Sequence, residues 1–152
     1  YKMNEGSVKE PDFYLGVDIR KWSVEGSDDP TKTRWAMSSD TYVKRAVAEV
    51  ERELLQVDER LSTKVTTPIN VGYRPELDVT DELDPQRANY YQGLIGVLRW
   101  ITELGRIDIL IAVAMLSRHS VAPRRGHLEQ VFHIFAYLKR YERSTLVRLS
   151  IA

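Results

Sequence analysis

From Asp84-Pro85 onward the chain carries three consecutive stretches of helical apolar spacing, and this limits it more than any other feature. Asp84 can accept from the free N–H groups of a first turn. Pro85 fits there because its missing N–H costs nothing. The spacing predicts a first helix from about Pro85 to Leu104, closed by Gly105. A second, Ile107 to Ser117, is apolar on nearly every side and is expected to be the buried one. Pro123 opens a third, with Leu128, Val131, Phe132, Phe135 and Leu138 as its stripe. Thr145 to Ile151 reads as a further strand whose partners lie downstream.

The part before residue 85 differs. Phe13 to Trp22 reads as one strand, with Leu15, Val17 and Ile19 on one side. Trp35 to Met37 reads as its antiparallel partner across a long acidic connection. Ser38-Ser39-Asp40 supplies cap chemistry for a helix whose stripe is Val43, Val47, Val50 and Leu54. Residues 58–84 show no period and read as an irregular linker. The expected class is α+β and mostly α: a β-hairpin plus helix over 1–57, a linker over 58–84, then a three-helix bundle and a terminal strand over 85–152.

The 152 residues hold 22 basic and 22 acidic side chains, but not evenly. Residues 1–85 carry a net −6 and residues 86–152 a net +6, with Arg supplying nine of the ten later cations. Such a half suits a nucleic-acid-facing surface or a solvated helical one. No Cys is present, which removes disulfide scaffolds and thiol chemistry and favours a reducing compartment. No apolar run reaches the ~18–20 residues of a membrane span, and no secretory leader opens the sequence, so an intracellular site, cytoplasmic or nuclear, is expected. The first residue is Tyr1, which suggests a piece of a longer reading frame.

Self-contained catalysis finds no support. Asp28-Asp29, the one Asp-Asp pair, lies among Gly26, Ser27 and Pro30 and reads as a polar turn. His119, His127 and His133 are spaced by eight and six, not by the three or four of a zinc helix. No nucleophile–base order or Gly-rich phosphate loop appears, which argues against a small hydrolase.

The helix from Pro85 is more informative. At 100° per residue, Tyr90, Leu94, Val97, Leu98 and Ile101 form the expected core side. Gln92, Gly96, Arg99 and Glu103 lie opposite, with Trp100 at the margin. Gly inside a helix costs ~1 kcal/mol relative to Ala. Two readings explain Gly93 and Gly96: backbone approach to a nucleic-acid groove, or close helix–helix packing.

The stretch Tyr91-Gln92-Gly93-Leu94-Ile95-Gly96-Val97-Leu98-Arg99-Trp100-Ile101, followed by Arg106-Ile107-Asp108-Ile109, Leu116-Ser117-Arg118 and Ala136-Tyr137-Leu138-Lys139, resembles the C-terminal part of Ty1/copia-type retrotransposon reverse transcriptases. Tyr14-Leu15-Gly16, Met37-Ser38, Tyr42-Val43 and Thr67-Pro68 resemble the preceding elements in the same order. The chain departs from the pattern at Ile107, where the family has Pro, and at Glu103, which puts an anion on the outer face. The resemblance implies a palm remnant (1–57) and a thumb (85–152). It places Tyr14, Leu15 and Gly16 in the primer grip and Gln92, Gly96 and Trp100 on a minor-groove track, and Arg99, Arg106 and Arg118 would contact phosphate. It implies a template–primer duplex as partner, with upstream palm and fingers and downstream RNase H completing an RNA-directed DNA polymerase. The catalytic aspartates and their Mg would lie upstream, leaving no cofactor and no catalytic residue here. A catalytically dead helical interaction domain from a decayed element is the alternative.

Overall fold

The computed structural model describes residues 13–22, 34–143 and 145–147. The chain is α+β and mostly helical. Strands β1 (Phe13–Tyr14), β2 (Val17–Trp22) and β3 (Arg34–Ser38) precede helix α1 (Asp40–Gln56). Helices α2 (Pro85–Glu103), α3 (Leu110–Ser117) and α4 (Arg125–Arg140) follow, and then strand β4 (Thr145–Val147). Short 3₁₀ turns lie at Pro75–Leu77 and Ile107–Ile109. The Asp28-Asp29 turn lies outside the described residues.

The single strand expected over Phe13–Trp22 is broken at Leu15-Gly16. Both residues have positive φ, +50° and +92°. They form a two-residue reversal pairing Tyr14 with Val17, as the right-handed twist of strands demands of so short a loop. β2 and β3 pair antiparallel as expected, with Ile19 opposite Met37 and Lys21 opposite Trp35. β4 is not an orphan: it pairs with β3, Ala36 opposite Val147, so its partner lies upstream.

Local chemistry accounts for the helices. Ser38 Oγ accepts from the Asp40 N–H at 3.3 Å, and the predicted stripe Val43, Val47, Val50 and Leu54 is buried. Asp84 accepts from the Arg87 N–H at 3.0 Å, Pro85 follows it, and Gly105 (φ +112°) ends α2. The buried side of α2 is Tyr91, Leu94, Ile95, Leu98 and Ile101, with Tyr90 and Val97 only partly buried. It is turned from the expected stripe because the Tyr91 hydroxyl reaches inward to donate to Leu116 O at 2.7 Å.

α3 is the other correction. It buries Ala112, Val113 and Leu116, but Leu110 is exposed and Ile111 is 75% exposed, as is nearby Ile107 at 70%. An apolar composition all round does not bury a helix whose neighbours cover one side. The core is continuous from α1 through α4 and includes Leu61 and Val65.

Residues 65–82 are irregular as expected, yet they run as a strap antiparallel to α4. Arg140 Nη1 donates to Val65 O (3.1 Å), His133 Nε2 to Thr67 O (2.9 Å), Gln130 Oε1 accepts from Asn70 N–H (3.1 Å), His127 Nε2 donates to Pro75 O (2.9 Å), and Arg124 Nη1 donates to Thr80 O (2.6 Å). Side chains of α4 thus satisfy backbone groups that no helix or sheet serves.

Candidate nucleic-acid interface

The outward side of α2 carries Asn89, Gln92, Gly93, Gly96, Arg99, Trp100 and Glu103, all exposed. At 100° per residue they fall within about 60° of Gly96. From Gln92 to Trp100 the track is about 12 Å long at the helical rise. A methyl added at Gly93 or Gly96 would meet no heavy atom within 4 Å beyond the helix's own backbone. The helix–helix packing reading of the two glycines is therefore excluded within the described residues: the approach they permit is left open.

The Leu15-Gly16 turn meets this face at its C-terminal end. A methyl on Gly16 would lie 3.2 Å from Tyr42 Cδ2, 3.4 Å from Leu104 Cδ1 and 3.7 Å from Trp100 Nε1. Glycine is needed there for its positive φ and for this closeness. Trp100, 39% exposed, and Leu15, 61% exposed, thus bring the hairpin turn and the helical track to one surface. Tyr14 contributes the last residue of β1.

Gln92 is exposed but not idle: its Nε2 donates to Ser120 O at 2.7 Å, which orients the amide from the turn after α3. Arg99 and Arg118 are exposed and have no ion-pair partner among the described residues, as a phosphate contact requires.

Arg106 does not fit its expected phosphate role. It is 1% exposed and holds Asp108 by two bonds, Nε to Oδ1 at 3.0 Å and Nη2 to Oδ2 at 2.8 Å. Its Nη1 donates to Tyr141 O at 2.9 Å. The reversal at Gly105 turns Arg106 inward, and a carboxylate two residues on matches its planar fork. Burial opposes ionisation of Asp108, but the hydrogen bonds and charge of Arg106 prevail and hold the carboxyl below its usual range. Arg106 ties the α2–α3 turn to the end of α4.

The strap went unseen in the sequence, although Arg124, His127, Gln130 and His133 mark it at steps of three along α4. That spacing drifts slowly around a helix, as an obliquely crossing segment needs. Asp78 is the strap's hub, accepting from Tyr73 (2.5 Å), Thr80 N–H (2.9 Å) and Thr80 Oγ1 (2.5 Å). Burial raises its cost of ionisation, but these bonds outweigh it and leave the carboxyl below the ordinary value.

Among the described residues no group of three or more His, Asp or Glu is placed to hold a metal ion, and no helix is long and apolar enough to cross a membrane. No family model, curated protein or solved structure matches the chain.

Proposed function

We propose that this chain is the grip-and-thumb segment of a Ty1/copia-type reverse transcriptase, holding an RNA/DNA template–primer duplex against the outer face of α2. The observation that carries the reading is the pair of exposed glycines that no described residue outside their own helix approaches. They lie in line with Gln92, Arg99 and Trp100 and end at the Leu15-Gly16 turn. A helix that gives up about 1 kcal/mol at each glycine without packing anything there makes sense when a large, close-fitting partner approaches. Trp100 supplies a flat apolar surface, Gln92 a fixed donor and acceptor, Arg99 and Arg118 phosphate contacts. The primer-grip role falls on the turn at Leu15 and Gly16 with Tyr14 behind it. In the complete polymerase the divalent metals would be held by carboxylates upstream, in the palm. The residues described here would position the duplex and perform no chemical step.

Binding of a labelled RNA/DNA hybrid, followed by anisotropy across a salt series, tests this. Affinity should fall steeply with salt, Arg99→Ala should lower the salt slope by about one, and Trp100→Ala should weaken binding about tenfold at fixed salt. Salt-independent binding, or binding indifferent to both changes, would reject it.

A second reading rests on the exposed apolar row Ile107, Leu110 and Ile111, which suits a catalytically dead protein-interaction domain. It is favoured if Ile111→Asp removes self-association or partner binding while the chain shows no affinity for the hybrid.

A further inference from the structure

The strap is pegged by two histidines in chemically different ways. His133 Nε2 donates to Thr67 O, a bond that the neutral ring and the imidazolium can both make. His127 is engaged at both nitrogens. Its Nε2 lies 2.9 Å from Pro75 O and donates to it, while Nδ1 accepts the Arg124 backbone N–H at 3.0 Å. A ring that donates at one nitrogen and accepts at the other is neutral, and this one is 2% exposed. A proton on Nδ1 would turn the acceptor into a donor facing a donor.

The same end of the strap caps α4. Thr80 Oγ1 accepts from Gly126 N–H and Asp81 O from Arg125 N–H, both at 2.9 Å, so first-turn donors of α4 depend on residues 80–81. His119 lies against His127, ring centroids 4.3 Å apart. The charges facing the pair are Glu76 and Asp78 from the strap and Arg118 from the end of α3, while the guanidinium of Arg124 is turned to Thr80 O and Glu82. Asp78 is already engaged by Tyr73 and Thr80. Burial above all holds His119 below the ordinary histidine value, against the pull of Glu76 and Asp78.

We propose that residues 75–82, the His119 turn and the N-terminus of α4 form an acid-opened latch. A proton delivered to His127 Nδ1 in acid takes the lone pair that accepts from the Arg124 N–H, and so breaks that bond. Segment 75–82 is then released while the His133 end stays attached. The sign follows from the hydrogen bonds: the closed form excludes the proton, so acid favours the open one. His119 and Ser120 share a turn, and Ser120 O holds Gln92, so opening would also free that amide on the α2 face. This last consequence rests on the duplex-binding reading. The latch does not.

Hydrogen exchange of the 152-residue chain by NMR, at pH 7.5 and 5.5, reads it directly. Protection of the Arg124, Arg125 and Gly126 amides, corrected for intrinsic rates, should drop at least about tenfold relative to Leu98 in α2 and Asn70 at the other end of the strap. His127→Asn, which keeps a neutral acceptor for the Arg124 N–H, should abolish that drop, and His133→Gln should leave it. Latch amides that fall no further than Leu98 would overturn the proposal, as would an acid response that survives His127→Asn. Should that variant not fold, ring-nitrogen shifts of the wild-type chain decide. His127 must show the Nε2–H tautomer at pH 7.5, and its protonation must coincide with the loss of protection. A loss at any other pH would overturn the latch.

Discussion

Gly126 and Gly96 are both helical glycines, in opposite surroundings. A methyl on Gly126 would lie 1.9 Å from Asp78 Oδ2, whereas a methyl on Gly96 would meet nothing within 4 Å among the described residues beyond its own helix. At Gly126 the close partner is the strap, which presses its acidic hub onto the first turn of α4, and Thr80 accepts from the Gly126 amide. The same residue type on α2 carries the same propensity cost with no partner among the described residues. One side of the molecule has filled the space its glycine leaves, and the other holds that space open. The same contrast divides the arginines: Arg106 is enclosed by Asp108 and Tyr141 O, while Arg99 and Arg118 face outward without ion partners among the described residues.

The largest effect should come from breaking the enclosed side. Arg106→Ala leaves Asp108 without its fork and Tyr141 O without its donor. It should cost about 3 kcal/mol, the low end for a broken buried pair because Asp108 keeps partial access to water. Arg99→Ala and Arg118→Ala should stay within about 0.5 kcal/mol. Urea unfolding of the three variants checks this, and an Arg106→Ala cost no larger than the other two would mean that the fork is not holding the α2–α3 turn.

Gly126→Ala comes next. The strap or α4 must move, and the cost should be about 1–3 kcal/mol despite better helix propensity. If Asp78 is the cause, the cost should shrink in an Asp78→Ala background, and a double-mutant cycle measures that coupling. Additive costs would place the strain elsewhere.

Acid should weaken the enclosed side by a smaller amount, since solvent still reaches both carboxyls. The carboxyls of Asp78 and Asp108 titrate below their usual range in the fold. Their contribution is complete above the unfolded-state value, about 4, and is lost as pH falls through the lower folded values. The urea midpoint should therefore decline below about pH 4. Asp78→Asn should flatten part of that decline.

Much of this architecture was legible in the residues, for identifiable reasons. The stripe Val43, Val47, Val50, Leu54 and the Asp84-Pro85 cap are local signals, and local signals survive into the fold. Arg106 misled because burial depends on where the Gly105 reversal points the chain, which residue type does not reveal. α3 misled because composition reports how apolar a helix is, not how many neighbours it has. The strap was least legible: its bonds join residues 44 to 75 positions apart, and each pairs a side chain with a backbone group that any residue carries. On α2 the outer face was legible because its glycines were unexpected there, and geometry then removed one of their two explanations.

That leaves the smallest expected effect, on the open side. Gly96→Ala adds a methyl where no described residue outside the helix stands within 4 Å, so the isolated chain should gain up to about 1 kcal/mol from helix propensity alone. Gly93→Ala should behave alike. A thermal melt reads the gain, and melts at several protein concentrations show whether the face is bare in solution. If a second copy covered it, Gly96→Ala would lower the melting temperature, and the melt would depend on concentration. With the gain established, hybrid-duplex binding becomes the deciding measurement. Where the backbone must come close, the methyl should weaken binding although the fold is firmer, and Gly96→Leu should weaken it further. Stability and affinity would then move in opposite directions, which no unfolding artefact can produce. A stabilised variant that binds the duplex as well as the parent would show that the space above Gly96 serves some partner other than nucleic acid, and the apolar row at Ile107, Leu110 and Ile111 would become the first surface to test for it.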